Sequence, residues 1–353
     1  MDWTNLQRSD VPMESTVHMD DVTKQLITPF DYETDGTERF YPYEVPSDLP
    51  TNFHIGVIVG ASGTGKSTLL RHFGEPTSYD WGSGSIASHF DTADDALERL
   101  GAAGLMSVPE WVKPYSVLSN GQKFRADLAM AIGDNAVIDE FTSVVDRNVA
   151  CAASTAMSKY VKKNNITNVV LATCHRDIID YLQPDWVIDT DKGQWASGRW
   201  LHRPKLDLTI YPAHYSVWEY FSKYHYLTDG INSSARCYVA TWNGQLVGFN
   251  SVLALPSGTL KNAYRGHRLV VHPDYQGFGF GPKISEAVAQ HYVDNGKRYY
   301  GKTAHPRLGG YRDASPLWKA TSKNHKQRTD TGDHMWALNK ERMTYSHEYI
   351  GNV

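Results

Sequence analysis

The sequence predicts an α/β chain of two domains, a parallel-sheet unit followed by a mixed α+β unit. Three observations carry this. The apolar, β-branched run His54-Ile55-Gly56-Val57-Ile58-Val59 leads through Gly60-Ala61-Ser62-Gly63-Thr64-Gly65-Lys66-Ser67 into a helix-opening Ser67-Thr68-Leu69-Leu70-Arg71. A second strand, glycine-rich turn and helix follow each other over residues 268–292. The charge also divides: residues 1–200 hold 16 Lys+Arg against 28 Asp+Glu, whereas residues 201–353 hold 19 against 11. An acidic half joined to a basic half indicates two units with different partners, the basic one suited to a polyanion.

At 353 residues the chain is long enough for two ordinary cores. No stretch approaches ~18 consecutive apolar residues, and Met1-Asp2-Trp3-Thr4-Asn5 is polar and acidic, so a cytoplasmic setting is expected. Cys151, Cys174 and Cys237 form neither a metal spacing nor a disulfide framework, which fits a reducing compartment. Residues 1–50, rich in Asp, Glu, Pro and Tyr, read as a leader with one edge strand. Residues 51–202 and 203–353 read as the two domains.

The glycines of the first turn let successive N–H groups face a polyphosphate at a helix start. Lys66 reaches its outer phosphates, and the Ser67 hydroxyl sits on Mg²⁺. The contacting set is Gly60, Ser62, Gly63, Gly65, Lys66, Ser67 and Thr68. Further along, Ser119 of Leu118-Ser119-Asn120-Gly121-Gln122 caps a helix of apolar periodicity and turns its hydroxyl and nearby N–H groups to an anion. The strand Ala136-Val137-Ile138 then delivers Asp139 for the metal and Glu140 to orient or deprotonate water. Ser143-Val144-Val145-Asp146 follows, and the strand Val169–Thr173 ends at Cys174-His175, where His175 can sense the outermost phosphate.

In this order the motifs resemble the ATP-binding cassette (ABC) ATPases: Walker A at 60–67, signature at 118–122, Walker B at 136–140, D-loop at 143–146 and His switch at 175. That resemblance implies a P-loop NTPase fold, ATP as substrate, and a homodimer in which the signature residues Ser119, Gly121 and Gln122 of one copy complete the ATP site of the other. Asn120 stands where the first signature glycine is usual, and no Q-loop glutamine is evident, residues Trp81 to Phe90 occupying that place. Only 53 positions separate Lys66 from Ser119, so the inserted helical subdomain is expected to be reduced and no membrane subunit is expected. Tyr41 or Tyr43 either stacks on adenine or packs against the sheet.

In the second half, strand-like Leu206–Tyr211, helix-like Ser216–Tyr224 and strands Cys237–Trp242 and Leu246–Leu255 precede Arg268-Leu269-Val270-Val271-His272-Pro273-Asp274-Tyr275-Gln276-Gly277-Phe278-Gly279-Phe280-Gly281, with a helix over Ile284–Tyr292. N–H groups at 277–282 form a second anion cradle. Gln276 to Gly281 resembles the acyl-CoA motif of the GCN5-related N-acetyltransferases (GNATs), Gln/Arg-x-x-Gly-x-Gly/Ala. The resemblance implies an α+β GNAT domain that binds acetyl-CoA through Val271, Gln276, Gly277, Gly279 and Gly281. It also implies a base and an acid, for which the candidates are His267 and Tyr311, with His225 and His305 as further possibilities. Lys302, Arg307, Arg312, Lys319, Lys323, Lys326 and Arg328, interleaved with Tyr311 and Trp318, form a basic aromatic stretch able to meet DNA or RNA.

The whole chain looks like proteins in which an ABC-type ATPase is fused to an acetyltransferase. The expectation is an ATP-hydrolysing N-acyltransferase acting on an amine or base of nucleic acid. A protein or metabolite acceptor, or a nucleotide-switched binding protein without catalysis, are the alternatives.

Overall fold

A computed structural model describes residues 2–30, 32, 34–198, 200, 202, 204–225, 230–327 and 343–351. The chain forms two compact units. One comprises Met1–Ser83, Asp91–Ala103 and Tyr115–Pro204, the other Gly84–Phe90, Gly104–Pro114 and Lys205–Val353. Two segments numbered within the first domain's sequence range thus fold with the second unit. They carry Ile86, Phe90 and Leu105, all buried.

In the first unit, β1 (Thr4–Asn5), β4 (Ile55–Val59), β5 (Val137–Ile138), β6 (Val169–Thr173), β7 (Trp186–Asp189) and β8 (Gln194–Ser197) form one sheet, while β2 (Met13–Thr16) and β3 (Thr37–Phe40) pair as a separate hairpin. The sheet order is β1-β8-β7-β4-β6-β5, with β7, β4, β6 and β5 parallel and β8 and β1 antiparallel to their neighbours. Strands β4 and β6 are buried throughout, which is why they read as continuous apolar runs without alternation. Helices Ala93–Ala102, Asn120–Ala131 and Arg147–Lys163 are the long helices of this unit. After β7 the chain turns at Gly193, whose φ is +61°, and β8 returns antiparallel to it. The start of the chain supplies a hairpin and the helix Asp21–Ile27 in addition to an edge strand.

The second unit has the sheet order β14-β16-β13-β12-β11-β10-β9, with β15 also on β16. The ranges are β9 (Thr209–Ala213), β10 (Arg236–Trp242), β11 (Gln245–Ala254), β12 (Ala263–Val271), β13 (Arg298–Thr303), β14 (Trp318–Ala320), β15 (Lys326–Gln327) and β16 (Met343–Tyr349). Strand β9 lies later than the Leu206–Tyr211 expected, because Pro212 reads as a breaker but is tolerated on this edge strand opposite Tyr238. The helix Phe280–Asp294 buries Val288, Ala289 and Tyr292 against Tyr299, Trp318 and Tyr349. Trp218, Phe221, Cys237, Phe249 and Val270 form a second cluster. Strands β12 and β13 are parallel, but they pair only from Ala263↔Arg298 to Arg265↔Tyr300.

Candidate functional site

The first unit gathers its expected residues at one end of its parallel strands. The glycine loop follows β4, His175 follows β6, and Asp139 and Glu140 follow β5, three strands that are neighbours. The carboxyl ends of parallel strands are where open α/β sheets take ligands. Gly65 has φ +89° and caps the helix Lys66–Leu70; a Cβ there would lie 2.5 Å from the Phe40 ring. A side chain at that position would both strain the backbone and displace Phe40.

Within the loop, the Lys66 ammonium donates to the Ala61 carbonyl at 2.6 Å, and the Ala61 N–H donates to Asp191 Oδ1 at 2.8 Å. Asp191 Oδ2 in turn accepts from Arg176 Nη2 at 2.7 Å, and Arg176 also grips Asp189. The hydrogen bond to Asp189 raises the guanidinium pKa above its ordinary value. The residue after His175 is thereby tied to the first turn of the loop. Sequence reasoning missed this link, although Asp189-Thr190-Asp191 at a strand end was a visible signal.

Glu140 and Thr142 have φ of +48° and +69°. For a β-branched residue such as Thr142 this is an outlier, of the kind that collects at working sites. The fully buried Thr142 shares a hydrogen bond with His175 Nδ1 at 3.0 Å, and the His175 N–H donates to Thr173 Oγ1 at 3.1 Å. Burial, and then the nearby Arg147, lower the His175 pKa, so its imidazole is neutral at pH 7. Asp139 Oδ1 accepts the Glu140 N–H at 2.8 Å, and Glu140 itself is exposed.

Ser119 caps Asn120–Ala131 in a capping box: its hydroxyl accepts from Gln122 N, and Gln122 Oε1 accepts from Ser119 N at 2.9 Å. The Gln122 side chain is therefore committed to its own helix. Behind it, Trp81 and Tyr115 stack at 5.1 Å, and both donate to Asp127 at 2.7 Å. The Tyr43 ring lies under Arg8 at 4.1 Å and its hydroxyl accepts from the same guanidinium. Tyr41 is exposed and, with Arg8, Ser9, Asp10, Arg39 and Phe40, lines a cavity of about 490 Å³.

In the second unit β12 ends at Val271 and leads to Gln276. Gly277 and Gly279 follow with φ of +115° and +83°, and Gly279 caps the helix Phe280–Asp294. The alternating phenylalanines anchor this turn, since Phe278 and Phe280 are fully buried and pack 5.1 and 5.8 Å from Trp242. A Cβ on Gly281 would meet only Val271, at an ordinary 3.6 Å.

Beside this loop, the pairing of β11 with β12 slips between Ser251 and Val252. Arg268 opposes Ser251 and Gly266 opposes Val252, so His267 is the extra residue of a β-bulge. Its Nε2 is buried without a hydrogen-bond partner among the described residues. Burial, followed by the charges of Arg268 and Arg265, brings the His267 pKa down to about 4. His225 lies close enough to feel His267 and is lowered to about 4 by burial, Arg268 and His267. Both imidazoles are neutral at pH 7.

Residues 233–314, which span the bulge, the glycine turn and the following helix, match the family model described as an acetyltransferase (GNAT) domain. The second unit carries a GNAT acetyltransferase domain. Among solved structures the chain is similar to a Bacillus subtilis acetyltransferase in complex with CoA (13% identity, 42% of this chain and 100% of that one, TM-score 0.29). It is similar to the ribosomal-protein-S18-alanine N-acetyltransferase of Escherichia coli (13%, 42% and 96%, 0.30). It is also similar to a dimeric ATP-binding cassette in a post-hydrolysis state with ADP and Pi (13%, 56% and 100%, 0.38). No curated protein matches the chain. In the first unit the five motifs follow one another in order, and three of them lie at adjoining strand ends of the parallel sheet.

Tyr311 and His305 are the remaining acid and base candidates of the GNAT domain. The Tyr311 hydroxyl donates to Glu286 Oε1 at 2.9 Å, an oxygen shared with the Trp318 indole, and burial with that bond pushes its pKa up to about 12. His305 caps the helix Pro306–Ala314, with its Nδ1 buried. Two members of the basic aromatic stretch belong to the core instead: Arg312 is buried, stacked 4.3 Å over buried Trp318 and bonded to Ser285. Lys302, Arg307, Lys319, Lys323 and Lys326 are exposed, and Arg328 lies outside the described residues. Asp313, the lone acid of that stretch, accepts from Asn324, His325 and His347. Among the described residues no helix is long and apolar enough to cross a membrane.

Proposed function

We propose that the chain is an ATP-hydrolysing, acetyl-CoA-dependent N-acyltransferase of the cytoplasm whose acceptor is an amine or base on DNA or RNA. The observation that carries the transferase half is the buried, unpartnered His267 Nε2 on a bulge of the strand that ends in the glycine turn. In this reading Val271, Gln276, Gly277, Gly279 and Gly281 hold the diphosphate of the carrier, mainly through main-chain N–H groups. The acceptor nitrogen attacks the thioester carbonyl, forming a C–N bond. Nε2 of His267 takes the amine proton, and the C–S bond breaks. Tyr311 returns a proton to the thiolate once its bond to Glu286 is exchanged. At pH 7 the imidazole is in the neutral form that a proton acceptor requires, and burial with the charges of Arg268 and Arg265 makes it a weak base.

In the ATPase half, Gly60, Ser62, Gly63, Gly65, Lys66, Ser67 and Thr68 cradle the triphosphate. Ser67 and Asp139 are the oxygen donors suited to Mg²⁺, which would neutralise charge on the outer phosphates. Glu140 orients the attacking water, and His175, fixed by Thr142 and Thr173, contacts the terminal phosphate. Ser119 and Gly121 of a second copy close the site, giving an ATP-sandwiched homodimer without a membrane subunit. Transfer from a thioester needs no phosphoryl donor, so ATP turnover gates substrate access or placement. Five exposed cations between Lys302 and Lys326, in the half of the chain with excess Lys+Arg, favour a polyanionic acceptor.

Incubation with labelled acetyl-CoA, ATP and duplex DNA, single-stranded DNA, RNA or protein tests the reading. Label in nucleic acid, with binding that weakens as salt rises, supports it. Label in protein alone reassigns the acceptor, and no label in any acceptor leaves a nucleotide-switched binding protein.

A further inference from the structure

Gln276 opens the glycine turn, and both the oxygen and the nitrogen of its side-chain amide are bonded. Oε1 accepts from the Met106 main-chain N–H at 3.1 Å, and Nε2 donates to the Val271 carbonyl at 3.2 Å. Two residues earlier, Gly104 has φ +80°, and a Cβ on it would come within 2.9 Å of the Gln276 carbonyl oxygen. Burial lowers the His305 pKa, and the Met106 main chain near the imidazole opposes that shift. The Trp111 ring meets His305 edge-on at 6.1 Å, and its indole N–H closes back on the Leu105 carbonyl at 2.8 Å. Ile86 and Lys113 tie the two accessory segments of this unit together through a main-chain bond of 2.9 Å.

The residues gripped at the two ends have a specific placement. Gln276 follows β12, and His305 follows β13. These two strands cease to pair after Arg265 and Tyr300, so the run Gly104–Trp111 reaches from the far end of one diverging strand to the far end of the other. In sequence the same run is continuous on one side with the helix Ala93–Ala102 and on the other, through Tyr115, with the signature serine Ser119.

We infer that Gly104–Trp111 is a strap that positions the acyl-carrier loop through Gln276, and that it links occupancy of the carrier site to occupancy of the nucleotide site. This rests on reading Gln276–Gly281 as the carrier's diphosphate site. Met106 and Trp111 are positioning residues: they fix Gln276 and His305 rather than touching the reacting atoms. Any ligand that shifts the chain on either side of the strap alters the free energy of this clasp, and linkage requires the effect to be reciprocal.

The test uses the full chain carrying Glu140→Gln, which retains ATP, and measures CoA affinity by calorimetry with and without ATP and Mg²⁺. ATP is expected to change the CoA Kd by at least ~5-fold, the lower end of ordinary coupling. Met106→Pro removes the N–H that Gln276 accepts from, together with the methionine side chain and the freedom of φ, and Trp111→Ala removes the second grip. Each is expected to abolish the ATP effect on CoA while leaving ATP affinity unchanged. The strap is overturned if both ligands bind and CoA affinity is the same with and without ATP, or if the ATP effect survives in both variants. Absence of CoA binding by the unaltered chain under every condition overturns the carrier-loop reading itself, and the strap with it.

Discussion

The two glycine turns of this chain share a plan, strand then left-handed glycine then helix, but they are held in different ways. The first follows β4 and is tied by polar groups: Asp191 takes the Ala61 N–H, and Arg176 holds Asp191. It carries its own cation, Lys66, at the start of a helix of 5 residues. The second follows β12, is anchored by Phe278 and Phe280 on Trp242, and opens a helix of 15 residues with no Lys or Arg between Gln276 and Gly281. A loop with a built-in ammonium suits the high charge of a triphosphate. One offering mainly main-chain N–H groups and a helix end suits a less charged diphosphate. The polar tether also joins the first loop to the residue after His175, so it can respond to what is bound, whereas an aromatic anchor is rigid and needs an outside element to change it.

The comparison breaks most decisively at Lys66. Lys66→Ala is expected to lower ATPase turnover by ~100-fold or more, the scale of losing one preorganised charge contact, while CoA binding stays intact; a calorimeter reads both. Loss of CoA binding as well would mean that the two loops are not independent cradles. Glu140→Gln is expected to cost ~10²- to 10⁴-fold in turnover and to accumulate an ATP-bound dimer. Light scattering that finds only monomer with ATP and Mg²⁺ would remove the sandwich.

A smaller effect is expected at the second loop. Gly279→Val places a β-branched side chain at φ +83° and is expected to weaken CoA by ~10-fold or more, since the strain is on the order of 1–3 kcal/mol, with ATPase activity retained. Gly281→Val is the sharper variant, because a Cβ there meets only Val271, at an ordinary 3.6 Å. The fold is expected to tolerate the added Cβ, which a melting curve checks, and lost CoA affinity would then report close approach of the ligand to the main chain. Unchanged CoA affinity in both variants would move the carrier site elsewhere.

Legibility followed the range of the forces involved. Strands β4 and β6 were readable because buried parallel strands are apolar at every position, and the helix start at Ser119 because caps are written in neighbouring residues. The loops that end in Lys66 and in Gly279 were readable for the same local reason. Contacts between residues distant in sequence were not. Asp191 on Ala61 spans 130 residues and Met106 on Gln276 spans 170, and no local pattern announces either. The bulge at His267 was invisible because it depends on the register of two strands, not on the composition of one. Arg312 and Trp318 misled in the opposite direction: a basic aromatic pattern looks the same whether it faces solvent or stacks in the interior.

The subtlest prediction concerns protons, and it separates the two units again, because both strongly lowered imidazoles belong to the second. His225 and His267 are brought down to about 4 by burial first and by neighbouring cations second, against about 6.5 in an unfolded chain. Between those values the unfolded state binds more protons than the folded one, so stability rises with pH across this window. Stability is therefore fully present above pH 6.5 and is lost progressively as pH falls through 4. The melting transition of the second unit is expected to drop steeply over pH 6.5 to 4, and His225→Gln with His267→Gln to flatten that slope. His267→Gln alone is expected to abolish most acetyl transfer while leaving the fold intact at pH 7.5, where the native imidazole is already uncharged. If instead His267→Gln keeps full transfer activity but flattens the acid limb of stability, the buried Nε2 is a structural feature of the bulge, and the proton acceptor must be sought among the other imidazoles of the domain.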